Sequence, residues 1–312
     1  MAHQTSRRRS TSVPQVAPSS LHHVIQHYPQ TTLRWVTDEQ WMPRSQVVLS
    51  RQKQPHDAIL FIHGFGGDAG RTWENFPQVA AMSSGASRAD LFFLHYPSLT
   101  PQVPFCAAQL LSFLIDVTHD PVSRIINPSL PNSAPKRAKE MRYRRIFIVA
   151  HSMGAVISRR AIMDLGQASD GFTDVEMRKF TLLFFAPAHA GSSIPRLIAS
   201  GFNLNFPCAE LIGSLASVCF QSLRDLEVGS PFLVKLANDC RELREARTKR
   251  HAPINHLRAL VYHAQNDRVV SQNGFDQDPP FKPIMNKNHR SICKPNESYC
   301  EPIEALHALL AQ

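Results

Sequence analysis

The stretch that decides the fold is Arg145–Ile162, R-I-F-I-V-A-H-S-M-G-A-V-I-S-R-R-A-I. Ile146 to Ala150 is a run rich in β-branched and aromatic side chains, the pattern of a buried strand. From Ala155 onward the apolar spacing predicts an amphipathic helix. Between them Ala150-His151-Ser152-Met153-Gly154 must turn sharply, and a serine at the apex of such a turn is held in a strained backbone conformation. Bulk two positions before or after it would collide with neighbouring backbone, and those places hold Ala150 and Gly154. The turn would lift the Ser152 hydroxyl above the sheet edge. It would also aim the Met153 N–H and a positive helix end at an oxygen gaining negative charge. A strand followed by a serine-capped helix has the same local pattern, so the rest of the chain has to be weighed with it.

Upstream, Ala58-Ile59-Leu60-Phe61-Ile62 reads as a strand running into His63-Gly64-Phe65-Gly66-Gly67-Asp68. A glycine-rich turn lets backbone pass close to a reacting carbonyl, which makes the Phe65 N–H the second candidate oxyanion donor beside Met153. A helix is expected from Thr72-Trp73. No Lys-Ser/Thr follows the glycines, and the spacing is not G-x-G-x-x-G, so nucleotide binding is not indicated. Further strands are expected at Leu33–Val36 and Gln46–Ser50, as an antiparallel edge, and at Asp90–Tyr96, Phe180–Ala186 and Leu257–His263. Helices are expected at Cys106–Val117 and Pro302–Leu310.

Strands alternating with helices imply an α/β fold with a mostly parallel central sheet and helices on both faces. At 312 residues, 43% hydrophobic and 19% charged, the chain suits one large domain with a sizeable core. Residues 1–30 are polar and basic and read as a disordered tail, and 31–312 as the catalytic domain. Within it, 193–250 is expected as a helical cap insertion. There is no apolar run of eighteen residues, so no transmembrane helix is expected. The six cysteines lack CxxC spacing and suit reduced thiols in the cytoplasm. The Arg- and Ser-rich start leaves organelle targeting as the alternative. A net charge of +9, with a basic patch from Lys136 to Arg145, suits peripheral contact with an anionic membrane. No motif for specific nucleic-acid binding accompanies it.

A serine hydroxyl needs a base, and the base needs an orienting acid. Asp267, on the turn after the Leu257–His263 strand, is the candidate acid. Asp276 and Asp278 are weaker, since they lie in a Pro-rich loop. His289, beyond the last expected strand and before the final helix, is the candidate base. His63 is read as bracing its own loop, and His189 as shaping the loop after Phe180–Ala186. The chain order Ser152, Asp267, His289 suits a hydrolytic triad. His289, Cys293 and Cys300 form only one short cluster, without a second ligand pair, so neither metal nor cofactor is expected.

The segments H-G-F-G-G-D at 63–68, A-H-S-M-G at 150–154, D-L-E-V-G-S-P-F-L at 225–233, N-D-R-V-V at 266–270 and H-R-S-I-C-K-P at 289–295 resemble those of the lipase-like serine esterases. These are α/β-hydrolases related to GPI inositol-deacylases and phospholipid-remodelling esterases, and the likeness spans roughly residues 55 to 300. It implies an α/β-hydrolase fold and hydrolysis of small-molecule or lipid esters, without cofactor. A thioesterase, amidase or acyltransferase would use the same three residues. A non-catalytic module binding lipid or a partner would keep the fold alone. Oligomeric state is not legible in the sequence.

Overall fold

The computed structural model describes residues 25–27, 45–50, 52, 54–76, 79–80, 85–99, 101–126, 137–167, 174–202, 221–249, 258–275 and 278–312. The expected strand Leu33–Val36, the middle of the expected cap and Asp276 lie outside them.

Eight strands form one sheet: β1 (Ile25–His27), β2 (Gln46–Val48), β3 (Asp57–Ile62), β4 (Asp90–Leu94), β5 (Arg145–His151), β6 (Phe180–Phe185), β7 (Ala259–Ala264) and β8 (Lys282–Ile284). Their order is β1-β2-β4-β3-β5-β6-β7-β8. β1 and β2 pair antiparallel at one edge, and every pairing from β4 to β8 is parallel. Ile25–His27 fall inside the segment read as a tail. Their partner, β2, is about twenty residues away in sequence, and composition carries no sign of such a pairing.

Successive residues of a strand point to opposite faces of the sheet. All residues of β3 and β4, and all but the first of β5, are buried, so both faces are covered, as parallel sheets require. The helices are α1 (Val103–His119), α2 (Met153–Gln167), α3 (Asp174–Met177), α4 (Ile194–Phe202), α5 (Gln221–Asp225), α6 (Pro231–Lys249) and α7 (Glu301–Leu310). α2 packs on α1 and β3, and α7 packs on β6. α6, from the expected cap segment, lies along α2, where Arg160 bridges Asp239 at 2.5 Å.

The helix expected from Thr72 begins only at Phe76, after turns over residues 69–75. The Asp68 carboxylate accepts the Gly70 and Arg71 N–H groups, and the Thr72 hydroxyl accepts the Asp68 N–H. Such side-chain bonds offer the backbone an alternative to the helix. Trp73 consequently drops into the core, edge-on to Phe61 at 5.2 Å, while Phe61 stacks on Phe93 at 4.2 Å.

After β3 the chain goes to β4 on one side, then returns to place β5 on the other. That reversal opens a crevice at the carboxyl ends of β3 and β5, the place where α/β sheets hold their ligands.

Candidate active site

Ser152 stands at the crevice, directly after β5, with φ of 54°. A left-handed conformation costs a non-glycine residue about 1–2 kcal/mol. Backbone bonds on both sides hold it there: Ser152 N–H donates to Phe185 O at 3.0 Å, and Ala155 N–H to Ser152 O at 3.1 Å. Gly154 is obligatory. A Cβ there would lie 2.4 Å from the carbonyl oxygens of both Ile62 and His63, so only glycine lets α2 begin against the end of β3. The helix starts at Met153, two residues before the expected Ala155, which puts the Met153 amide in its first turn.

Gly64 closes the crevice from the β3 side. A Cβ on it would come within 2.8 Å of the Ser152 Cβ. Phe65, the next residue, is therefore carried at the serine, with its side chain buried. His63 holds this loop. Its Nδ1 bonds the Gly64 carbonyl at 2.8 Å and so must carry the hydrogen, leaving Nε2 to accept the Tyr96 N–H at 3.3 Å. The ring stacks on Tyr96 at 4.2 Å, and burial pushes its pKa down to about 3. His63 thus braces as a neutral ring.

The loops after β7 and β8 bring the other two candidates in. His289 Nε2 lies 3.0 Å from Ser152 Oγ, and His289 Nδ1 lies 2.9 Å from Asp267 Oδ2. The second Asp267 oxygen accepts the N–H groups of Val269 and Val270 at 2.8 and 3.3 Å. Burial raises the pKa of the Asp267 carboxyl, but the His289 bond and these two amides outweigh it and hold the group below its ordinary value. An ionised Asp267 only accepts, so Nδ1 carries the hydrogen and Nε2 presents its lone pair to the serine O–H. All three residues are buried, and the Asp267 carboxylate is fully so.

The other candidates stand elsewhere. Asp278 pairs with Arg159 at 2.5 Å, both side chains being buried, and accepts the Ala259 N–H at 2.7 Å. It is committed to the start of β7. His189 faces Arg159, whose Nε lies 3.2 Å from its Nε2. Cys293 bonds the Thr72 carbonyl at 3.5 Å and Cys300 the Asn296 carbonyl. Among the described residues no three His, Cys, Asp or Glu side chains converge as a metal site, and no helix is long and apolar enough to cross a membrane.

Two residues in the quoted segments, His151 and Asp225, had no role assigned from the sequence. His151 Nε2 bonds the backbone carbonyl of His289 at 2.7 Å. Asp225 accepts the Val103 N–H at 2.8 Å, capping α1, while Leu226 O accepts the Ser192 N–H at 2.8 Å. The 225–233 segment thereby ties α1 to the loop after β6. For His151 the available signal was its place beside the serine, where a strand's last side chain must face one side of the crevice.

No known protein-family profile matches the chain, and no curated protein matches it in sequence. Solved structures do. A carboxyl esterase from the mycorrhizal fungus Tuber melanosporum is 14% identical, with a TM-score of 0.52 over 97% of this chain and 87% of the esterase. A Bacillus licheniformis lipase in its mature form is 14% identical, with a TM-score of 0.46 over 84% of this chain and 94% of the lipase. A Rhodococcus 2-hydroxy-6-oxo-6-phenylhexa-2,4-dienoate hydrolase is 13% identical, with a TM-score of 0.43 over 92% of this chain and 97% of the hydrolase. At such identity the fungal enzyme speaks to fold alone. Together with the strand order and the left-handed serine after β5, it shows that this chain has the α/β-hydrolase fold.

Proposed function

We propose that the chain is a serine hydrolase of carboxylic esters, with lipid or other apolar acyl esters as substrate. The observation that carries this reading is the continuous hydrogen-bonded path from Ser152 through His289 to Asp267. In the first half-reaction His289 Nε2 takes the Ser152 proton as Oγ bonds the ester carbonyl carbon. The carbonyl oxygen becomes an oxyanion, bound by the Phe65 and Met153 N–H groups, each contributing on the order of 3 kcal/mol. Collapse breaks the bond to the alcohol oxygen, which leaves with the proton from His289, and acyl-Ser152 remains. Water then gives its proton to His289 and its oxygen to the acyl carbon, and Ser152 leaves as the protonated hydroxyl. Apolar surface near the strand ends suits an acyl chain: Val228 is exposed and packs at Gly191, and Met285 is exposed directly after β8.

The test is a panel of p-nitrophenyl esters of graded chain length and phospholipids, with Ser152→Ala as control. Labelling by a fluorophosphonate should be confined to Ser152. A folded protein that neither labels at Ser152 nor turns over any ester would sink the reading.

A further inference from the structure

The opposite end of the sheet carries a different feature. The register pairs Ala58 with Asp90 and with Ile146, and Ile146 with Phe180. Just ahead of four neighbouring parallel strands stand Arg88, which closes a short 3-10 helix, His56, Arg144 and Arg178. All four are exposed. The strands that follow them lie about 4.8 Å apart. In sequence these residues are scattered over more than a hundred positions, and only the strand order makes them adjacent.

The row borders a cavity of about 550 Å³ lined by His56, Asp57, Arg88, Arg144, Arg145 and Leu310, among others, a size typical of small-ligand pockets. Asp57 is already engaged. It takes Arg145 Nε at 2.8 Å and Nη2 at 2.7 Å, while Arg145 Nη1 donates to Leu310 O at 3.0 Å. Arg145 is thus a fixed wall with its charge matched. Arg88 and Arg144 are not matched: among the described residues no carboxylate pairs with either. β3 separates the strands that Arg88 and Arg144 precede, and a concave surface of one sign concentrates counter-ions. Two guanidinium forks facing one hollow suit the tetrahedral oxygens of a phosphate better than a lone carboxylate.

We propose that this cavity at the amino-terminal edge of the sheet binds a phosphate-bearing anion, a diphosphate or a phosphorylated head group. The site is separate from Ser152. β5 runs its seven residues from Arg145 at one to His151 at the other, about 20 Å. The ligand is therefore not the bond being cleaved. If it is a lipid head group, the protein sits on the bilayer with the Ser152 crevice turned away from it.

Calorimetric titration of the full chain with pyrophosphate, at fixed ionic strength, reads the free-anion arm. Co-sedimentation with phosphatidic acid vesicles, against phosphatidylcholine alone, reads the lipid arm. The expected result is saturable one-to-one binding in at least one arm, weakened at least tenfold in Arg88→Ala/Arg144→Ala and only partly in Arg88→Lys/Arg144→Lys. Arg142→Ala, an exposed arginine outside the lining, should bind as the parent does. Binding confined to pyrophosphate assigns a soluble phosphate ligand, and vesicle binding with the same variant pattern assigns a head group. Absence of saturable binding in both arms, or equal weakening by Arg142→Ala, overturns the proposal. Ester turnover in the double variant should equal the parent's, so these outcomes stand apart from the fate of Ser152.

Discussion

His151 donates its Nε2–H to the carbonyl oxygen of His289 at 2.7 Å, so the residue before the serine holds the loop that carries the imidazole. A carbonyl only accepts, which fixes the His151 tautomer. Burial, then the neighbouring His289, push its pKa down to about 3, and the donor persists at any working pH. In His151→Phe the ring volume stays and the donor goes, leaving a buried carbonyl unsatisfied at about 1–3 kcal/mol. We expect kcat to fall about tenfold with KM little changed, and His151→Gln to recover part of the loss. A drop in Tm with kcat intact would show that the bond serves stability alone.

Asp267 and Asp278 separate two uses of a buried carboxylate. Asp267→Asn keeps the shape but removes the charge that fixes the His289 tautomer, a change that can lower kcat by about ten-thousandfold in such triads. The folded protein should remain, detected by an unchanged circular dichroism spectrum. Asp278→Asn neutralises the carboxylate that pairs with the buried Arg159 at 2.5 Å, and breaking a buried pair costs about 3–5 kcal/mol in comparable cases. Its Tm should fall sharply, while the fraction that is folded keeps its kcat. The opposite assignment of the two effects would reverse the roles given to these residues.

The elbow was legible because a strand pattern and a helix pattern abut there around a residue that tolerates no Cβ. Gly154 faces two backbone carbonyls at 2.4 Å, so its identity is a steric necessity. Asp267 and His289 were legible from chain order alone, since loops after late strands gather at one end of a parallel sheet. Arg159 was not. It sits in an amphipathic helix, where an arginine reads as solvent-facing, yet it is fully buried between Asp278, His189 and the ring of Phe275 at 4.3 Å. The turns at 69–75 were missed because Asp68 and Thr72 act through local side-chain bonds that compete with helix propensity. The basic row at the far edge exists only through strand order, to which a linear reading has no access.

Buried neutral histidines make stability depend on pH. Burial is the largest cause that lowers His63 and His151 to about 3 and His263 to about 4, against an ordinary value of 6.5. Between those limits the unfolded chain protonates the rings and the folded chain does not. Their contribution is fully present above pH 6.5 and declines as pH falls toward the folded values. Each proton taken up changes stability by about 1.4 kcal/mol per pH unit, so three rings give roughly 4 kcal/mol per unit near pH 5. Denaturant midpoints from pH 7 to 5 should fall accordingly, and unfolding at pH 5 should take up about three protons or more. Uptake below one proton would mean that the rings are already charged in the fold.

The strain at Ser152 can be read directly by comparing two inactive variants. Ser152→Ala and Ser152→Gly both remove the hydroxyl and its bond to His289, so ester hydrolysis should vanish in each. They differ at φ of 54°, where alanine keeps the Cβ penalty of the native serine and glycine does not. Glycine also brings a more disordered unfolded chain, which works the other way by about 0.5–1 kcal/mol. The steric relief of about 1–2 kcal/mol is the larger effect, so Ser152→Gly should unfold at higher denaturant than Ser152→Ala. Equal midpoints would mean that the backbone relaxes once the hydroxyl is gone, and that the bonds to Phe185 and Ala155 do not by themselves hold the turn.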